Sequence, residues 1–133
     1  MLNANHPLLK VNPVIQFISI LTIVTIAILL SKLNVYHNSN DWNVVCFGLL
    51  FYIVINVVLG IFQYKVLLYI GLSILIYIAL LFCFLFMGKF GLIDSIRSTS
   101  SHKMVIVAST VFYVVLTVIS QLIRLLYTQT QNI

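Results

Sequence analysis

Four apolar runs divide the chain, at positions 14–33, 44–62, 66–87 and 104–126, each interrupted by only a few polar side chains. Each is close to the ~20 residues that carry an α-helix across a hydrocarbon core. A segment in lipid must satisfy its own backbone hydrogen bonds, and runs of this length do so as helices rather than as barrel strands. Only Gln63, Tyr64 and Lys65 separate the second run from the third, and the two together are too long for one crossing. The pattern therefore predicts an all-α integral membrane protein. Its expected architecture is a four-transmembrane-helix bundle with a tight hairpin between spans two and three, as a single membrane domain over residues 1–133. Pro13 stands ahead of the first span, where a missing N–H is tolerated. Tyr36, Trp42, Tyr64, Phe90 and Tyr127 fall at span ends, in the headgroup zone that aromatic rings prefer.

The polar positions inside the runs follow helical spacing. In "TVFYVVLTVISQLIRLLYT", Thr110, Tyr113, Thr117, Ser120 and Arg124 recur at steps of three, four, three and four, with Gln121 beside Ser120. Those steps keep them on one helix face, the seam of a heptad. The face is either a packing seam or the lining of a hydrated path. In the first case the hydroxyls bond across helices or to their own carbonyls, while Arg124 reaches for headgroups. In the second, several copies would surround an axis with Arg124 at one mouth.

In the second run Gly48, Tyr52, Asn56 and Gly60 repeat at i+4. Glycines let another backbone approach, and the Asn56 amide needs partners, as a clamp between helices or as a contact to an ion or substrate. Tyr69, Ser73 and Tyr77 share that spacing in the third run and read as core filling with bonded hydroxyls. Gln16, Ser19, Thr22 and Thr25 step by three and drift around the first helix.

Composition strengthens the membrane reading. The chain has 133 residues, is 62% hydrophobic and carries seven basic and two acidic side chains. A soluble domain would devote roughly a quarter of its residues to charge. The basic residues are scattered through connecting segments, which suits lipid headgroups and argues against a dedicated nucleic-acid surface. Lys10, Lys65 and Arg124 lie on the side of the termini, and Lys32, Lys89, Arg97 and Lys103 on the other, so the charge bias that orients membrane proteins is nearly balanced. The expected orientation puts both termini in the cytoplasm. Asn- and Ile-rich usage points to a bacterial inner membrane. The first span lacks a small-residue cleavage site and reads as a retained helix.

Chemistry-bearing residues are sparse. No acidic or basic side chain lies deep in any span, which removes the intramembrane ionisable group that proton-coupled carriers use. Asp41 and Asp94 occupy different loops, and His6, His37 and His102 are scattered. Cys46 and Cys83 sit in apolar runs as small hydrophobes. These positions offer no metal site, cofactor motif or catalytic constellation, so the expectation is a protein that is not an enzyme. The richest extramembrane stretch is "GKFGLIDSIRSTSSHKM", with Arg97, Ser98, Ser101, His102 and Lys103 just ahead of the fourth span. With Ser101 as helix N-cap, it forms a candidate anion site for a phosphorylated ligand or a lipid headgroup. The plainer reading is a solvated loop at the headgroups. Together these features lead to the expectation of a small homo-oligomeric membrane protein that forms or gates an ion-conducting pore, with the 95–103 loop as a ligand-operated trigger. The alternatives are a small carrier or flippase-type transporter, or an accessory subunit of a larger membrane complex.

Overall fold

A computed structural model describes residues 12–35, 41–63, 65–93 and 101–131. Four helices account for nearly all of them: α1 (Pro13–Leu30), α2 (Asp41–Phe62), α3 (Val66–Lys89) and α4 (Ser101–Gln131). A π-helical turn, Ser31–Val35, extends α1. All four helices are long and apolar enough to cross a membrane.

The helix ends follow from local chemistry. Asn12 caps α1: its extended backbone turns the chain in, and its side-chain oxygen accepts the Val14 N–H at 3.1 Å. Pro13 takes the first helical position, where its fixed φ is already helical. At the end of α3, Gly91 has φ 72°, a left-handed conformation that costs glycine nothing. The Leu92 N–H then reaches back to the Met87 carbonyl at 3.0 Å and the Gly91 N–H to Gly88 at 3.2 Å. This paired capping pattern satisfies carbonyls that the helix leaves open. The Lys32 ammonium donates to the Gly91 carbonyl at 2.9 Å, which ties the end of α1 to the end of α3.

α2 is the most buried helix and packs closely on α1, α3 and α4, while α1 also packs on α3. Gly48 makes the α1–α2 approach possible, since a Cβ there would stand 2.5 Å from Val24 Cγ2. The α3 and α4 backbones come together less closely, and tyrosine side chains fill the space between them. Two ends of the molecule can be distinguished. The hairpin end holds Gln63 and Lys65, and the opposite end holds the starts of α2 and α4.

Two boundaries differ from the sequence pattern. α4 starts at Ser101 and runs to Gln131, where hydropathy alone suggested 104–126. Helix geometry does not stop where apolar character stops, and Thr128 and Thr130 donate back to carbonyls of the preceding turn. Ser101 thus lies within the helix and not ahead of it. Trp42 is not a headgroup anchor either. It lies in the first turn of α2, is 5% exposed, and packs inward beside Gly88 of α3. Tyr36 and Tyr64 lie outside the described residues.

Candidate functional site: a polar half-interior

The interior polar groups gather in tiers along α3. At ~1.5 Å per residue from Val66, Tyr69, Ser73 and Tyr77 lie about 5, 11 and 17 Å along the helix. In the outermost tier Asn56 is the hub. Its Nδ2 donates to Gln16 Oε1 at 2.5 Å and to the Tyr52 carbonyl at 2.9 Å, and its Oδ1 accepts from the Tyr69 hydroxyl at 2.9 Å. One side chain thereby joins α1, α2 and α3. Deeper, the Tyr52 hydroxyl donates to the Ser73 carbonyl at 2.9 Å, and the Ser73 hydroxyl pairs with that of Tyr113 on α4. Deepest, the Tyr77 hydroxyl meets Ser109 Oγ at 2.8 Å and Thr110 Oγ1 at 3.2 Å. The Tyr77 ring packs edge-on to Tyr113 with centroids 4.9 Å apart, and stacks with Tyr52 at 6.4 Å. Such ring pairs add to the burial of the side chains themselves.

Beyond Tyr77 the interior changes character. Towards the opposite end the buried side chains Val24, Ile28, Val45, Leu49, Leu80 and Phe84 are apolar. Trp42 and His102 lie above them with ring centroids 5.7 Å apart. One half of the interior is therefore lined with hydroxyls and amides, and the other half is apolar as far as Asp41, which is buried at the start of α2.

No carboxylate, ammonium, guanidinium or imidazole takes part in the polar tiers among the described residues. The tiers can accept or donate hydrogen bonds and can offer amide and hydroxyl oxygens to an ion. Most of these atoms are already paired. The exception is Gln16 Nε2, which is buried without a hydrogen-bond partner. A buried, unpaired donor of this kind costs about 1–3 kcal/mol.

The fourth-helix stripe divides. Tyr113 and Ser120 are buried, Thr117 is half-buried, and Thr110 lies mostly on the outside. Thr110, Thr117 and Ser120 donate to carbonyls of their own helix at 2.7, 2.8 and 2.7 Å. The line that faces inward runs through Val105, Ser109, Tyr113, Leu116 and Ser120. Ser109 is 2% exposed and was missed, because its neighbour Thr110 fitted the heptad equally well. Gln121 and Arg124 turn instead to a groove of about 560 Å³ at the hairpin end, which they share with Lys65, Val66, Leu68 and Leu125.

On α2, Tyr52, Asn56 and Gly60 are buried. The face turns as it climbs, so Gly48 meets α1 whereas Gly60 is turned to Tyr69, whose ring would lie 3.9 Å from a Cβ at that position. Of the loop residues, Arg97 and Ser98 lie outside the described residues. His102 and Lys103 sit in the first turn of α4, with His102 on Trp42 and Lys103 exposed. Ser19, Thr22 and Thr25 donate to their own helix at 2.9, 2.7 and 2.7 Å, and only Gln16 of that set reaches another helix. Cys46 and Cys83 are free thiols.

The architecture and site define a class only in outline: a four-helix chain with apolar outer faces and a tyrosine- and amide-lined half-interior. No family model matches the chain, and no curated protein or solved structure matches it significantly.

Proposed function

We propose that the protein is an integral membrane protein whose four helices cross a bacterial inner membrane, and that it forms or gates an ion-conducting pore as a homo-oligomer. The reading rests on the divided interior. An interior lined with hydroxyls and amides from the hairpin end to Tyr77 and with apolar side chains beyond it has the form of a closed hydrophobic gate, because a narrow apolar constriction excludes water and hence ions. α4 is the least buried helix and turns Val111, Val114, Val118 and Leu122 outward. That face is available for contact between copies. In this arrangement both termini and the hairpin face the cytoplasm, and the 95–103 loop lies across the membrane from them.

Ion flux through proteoliposomes tests the gate. The unmodified protein is expected to conduct little. Leu49→Ser and Leu80→Ser, made separately, place a hydroxyl in the apolar layer and are expected to raise flux at least tenfold. Circular dichroism and gel filtration establish that each variant remains folded. Folded, inserted variants that stay silent would refute the gate. The second reading is a small carrier or flippase-type transporter, favoured by the same one-sided polarity, which is the form of a binding site open to one face. Saturable uptake without single-channel steps would replace the pore with that reading.

A further inference from the structure

The groove at the hairpin end is separate from the polar tiers and carries a different chemistry. Lys65, at the start of α3, and Arg124, on α4, contribute two cations, and no carboxylate lines the space among the described residues. Gln121 lines the groove as well, and its Nε2 is buried without a hydrogen-bond partner. Two cations with no carboxylate beside them among the described residues, next to a side chain that carries an unpaired donor, call for an anionic acceptor. Val66, Leu67, Leu68 and Leu125 add apolar surface, and Thr128 also lines the groove.

We propose that this groove, with Lys65 and Arg124 flanking the unpaired Gln121 amide, holds the phosphate of an anionic phospholipid headgroup. The proposal rests on the membrane-spanning reading and is independent of the pore. The groove opens at the start of α3 and beside the last apolar turns of α4, where an apolar span gives way to the headgroup zone. The planar guanidinium of Arg124 suits two phosphate oxygens, Lys65 acts as a point charge, and the Gln121 amide supplies a neutral donor. The apolar lining accommodates the glycerol and the first methylenes of the acyl chains. The two cations also select among lipids. The trimethylammonium of phosphatidylcholine would be brought towards like charge with no carboxylate to receive it, whereas the neutral glycerol head of phosphatidylglycerol carries no such penalty.

The experiment uses the full chain in mild detergent. Native mass spectrometry reads retained lipid during titration with dioleoylphosphatidylglycerol or dioleoylphosphatidylcholine. Retention of phosphatidylglycerol over phosphatidylcholine is expected. The Lys65→Ala/Arg124→Ala pair should weaken phosphatidylglycerol binding by about tenfold or more, as expected for two lost headgroup cations. Gln121→Leu should weaken it without changing charge, and Lys89→Ala, at the opposite end, should leave it unchanged. Undiminished binding by the folded double variant, or equal weakening by Lys89→Ala, overturns the site. Displacement of the lipid by inorganic phosphate at equal concentration overturns the lipid assignment in favour of a free anion. Release of the expressed chain from membranes by alkaline carbonate would instead remove the membrane-spanning reading itself.

Discussion

Asn56→Leu removes the hub of the outermost polar tier with little change in volume. Three hydrogen bonds disappear, to Gln16 Oε1, the Tyr52 carbonyl and the Tyr69 hydroxyl. The Tyr52 carbonyl is a backbone group of the same helix, so its loss matters least. Gln16 and Tyr69 are left as polar side chains without their partner in a buried site. Interhelical hydrogen bonds in membranes average about 0.6 kcal/mol and reach about 1.7. Two such losses amount to about 1–3 kcal/mol. The sharper expectation concerns pairs. Gln16→Leu removes a group that already carries one unpaired donor, so it should cost less than Asn56→Leu. Once Asn56 is gone, converting Gln16 to Leu also removes an orphaned amide. The double variant should therefore cost less than the sum of the singles, by about 0.6–1.7 kcal/mol of coupling. Reversible unfolding in mixed micelles, followed by far-ultraviolet circular dichroism over the four members of the cycle, measures it. Strict additivity would mean that Asn56 and Gln16 do not meet in the folded protein, and the account of the outer tier would fail with it.

Glycine positions supply two further predictions. Gly48→Ala should destabilise the α1–α2 contact by about 1–3 kcal/mol through overpacking, and Val24→Ala should restore part of the loss; the same unfolding assay reads both, and an unaffected single variant would contradict the close approach. Gly91→Ala should cost about 1 kcal/mol because φ 72° disfavours a side chain, whereas Gly71→Ala, with nothing within 4 Å, should be neutral or stabilising by up to about 1 kcal/mol; the reverse order would overturn the assignment of the α3 cap.

The four helices were legible because lipid-length apolar runs are long, repeated and separated by short polar segments. The α2 face was legible for a related reason. Tyr52 and Asn56 are polar groups at helical spacing within an apolar run, and burial of such groups requires partners. Which partners they take was not legible. Gln16 appeared as one member of a drifting polar set, and only the packing of α1 on α2 and α3 separates it from Ser19, Thr22 and Thr25, which satisfy themselves locally. α4 shows the limit most clearly. Adjacent hydroxyls at Ser109 and Thr110 fit almost the same periodicity, and a rotation of one residue decides which one meets Tyr77 most directly. A line drawn through Ser109, Tyr113 and Ser120 at four and seven residues would have found the inward face, although the sequence gives no reason to prefer it. Trp42 was misread because a span end offers an aromatic ring two environments, headgroup and core, and the packing of α3 and of His102 on α4 around it decides between them.

Trp42 is also the only tryptophan in the chain. It sits where α2, Gly88 of α3 and His102 of α4 converge, directly above the apolar half of the interior. Its emission consequently arises from a single place and needs no introduced label. A shift of α4 away from α2 would admit water to the indole and move the spectrum to longer wavelength, while the tyrosines below serve as energy donors whose transfer efficiency follows the same displacement. The protein thus carries a built-in optical gauge of the contact between α2, α3 and α4 above the apolar half of the interior.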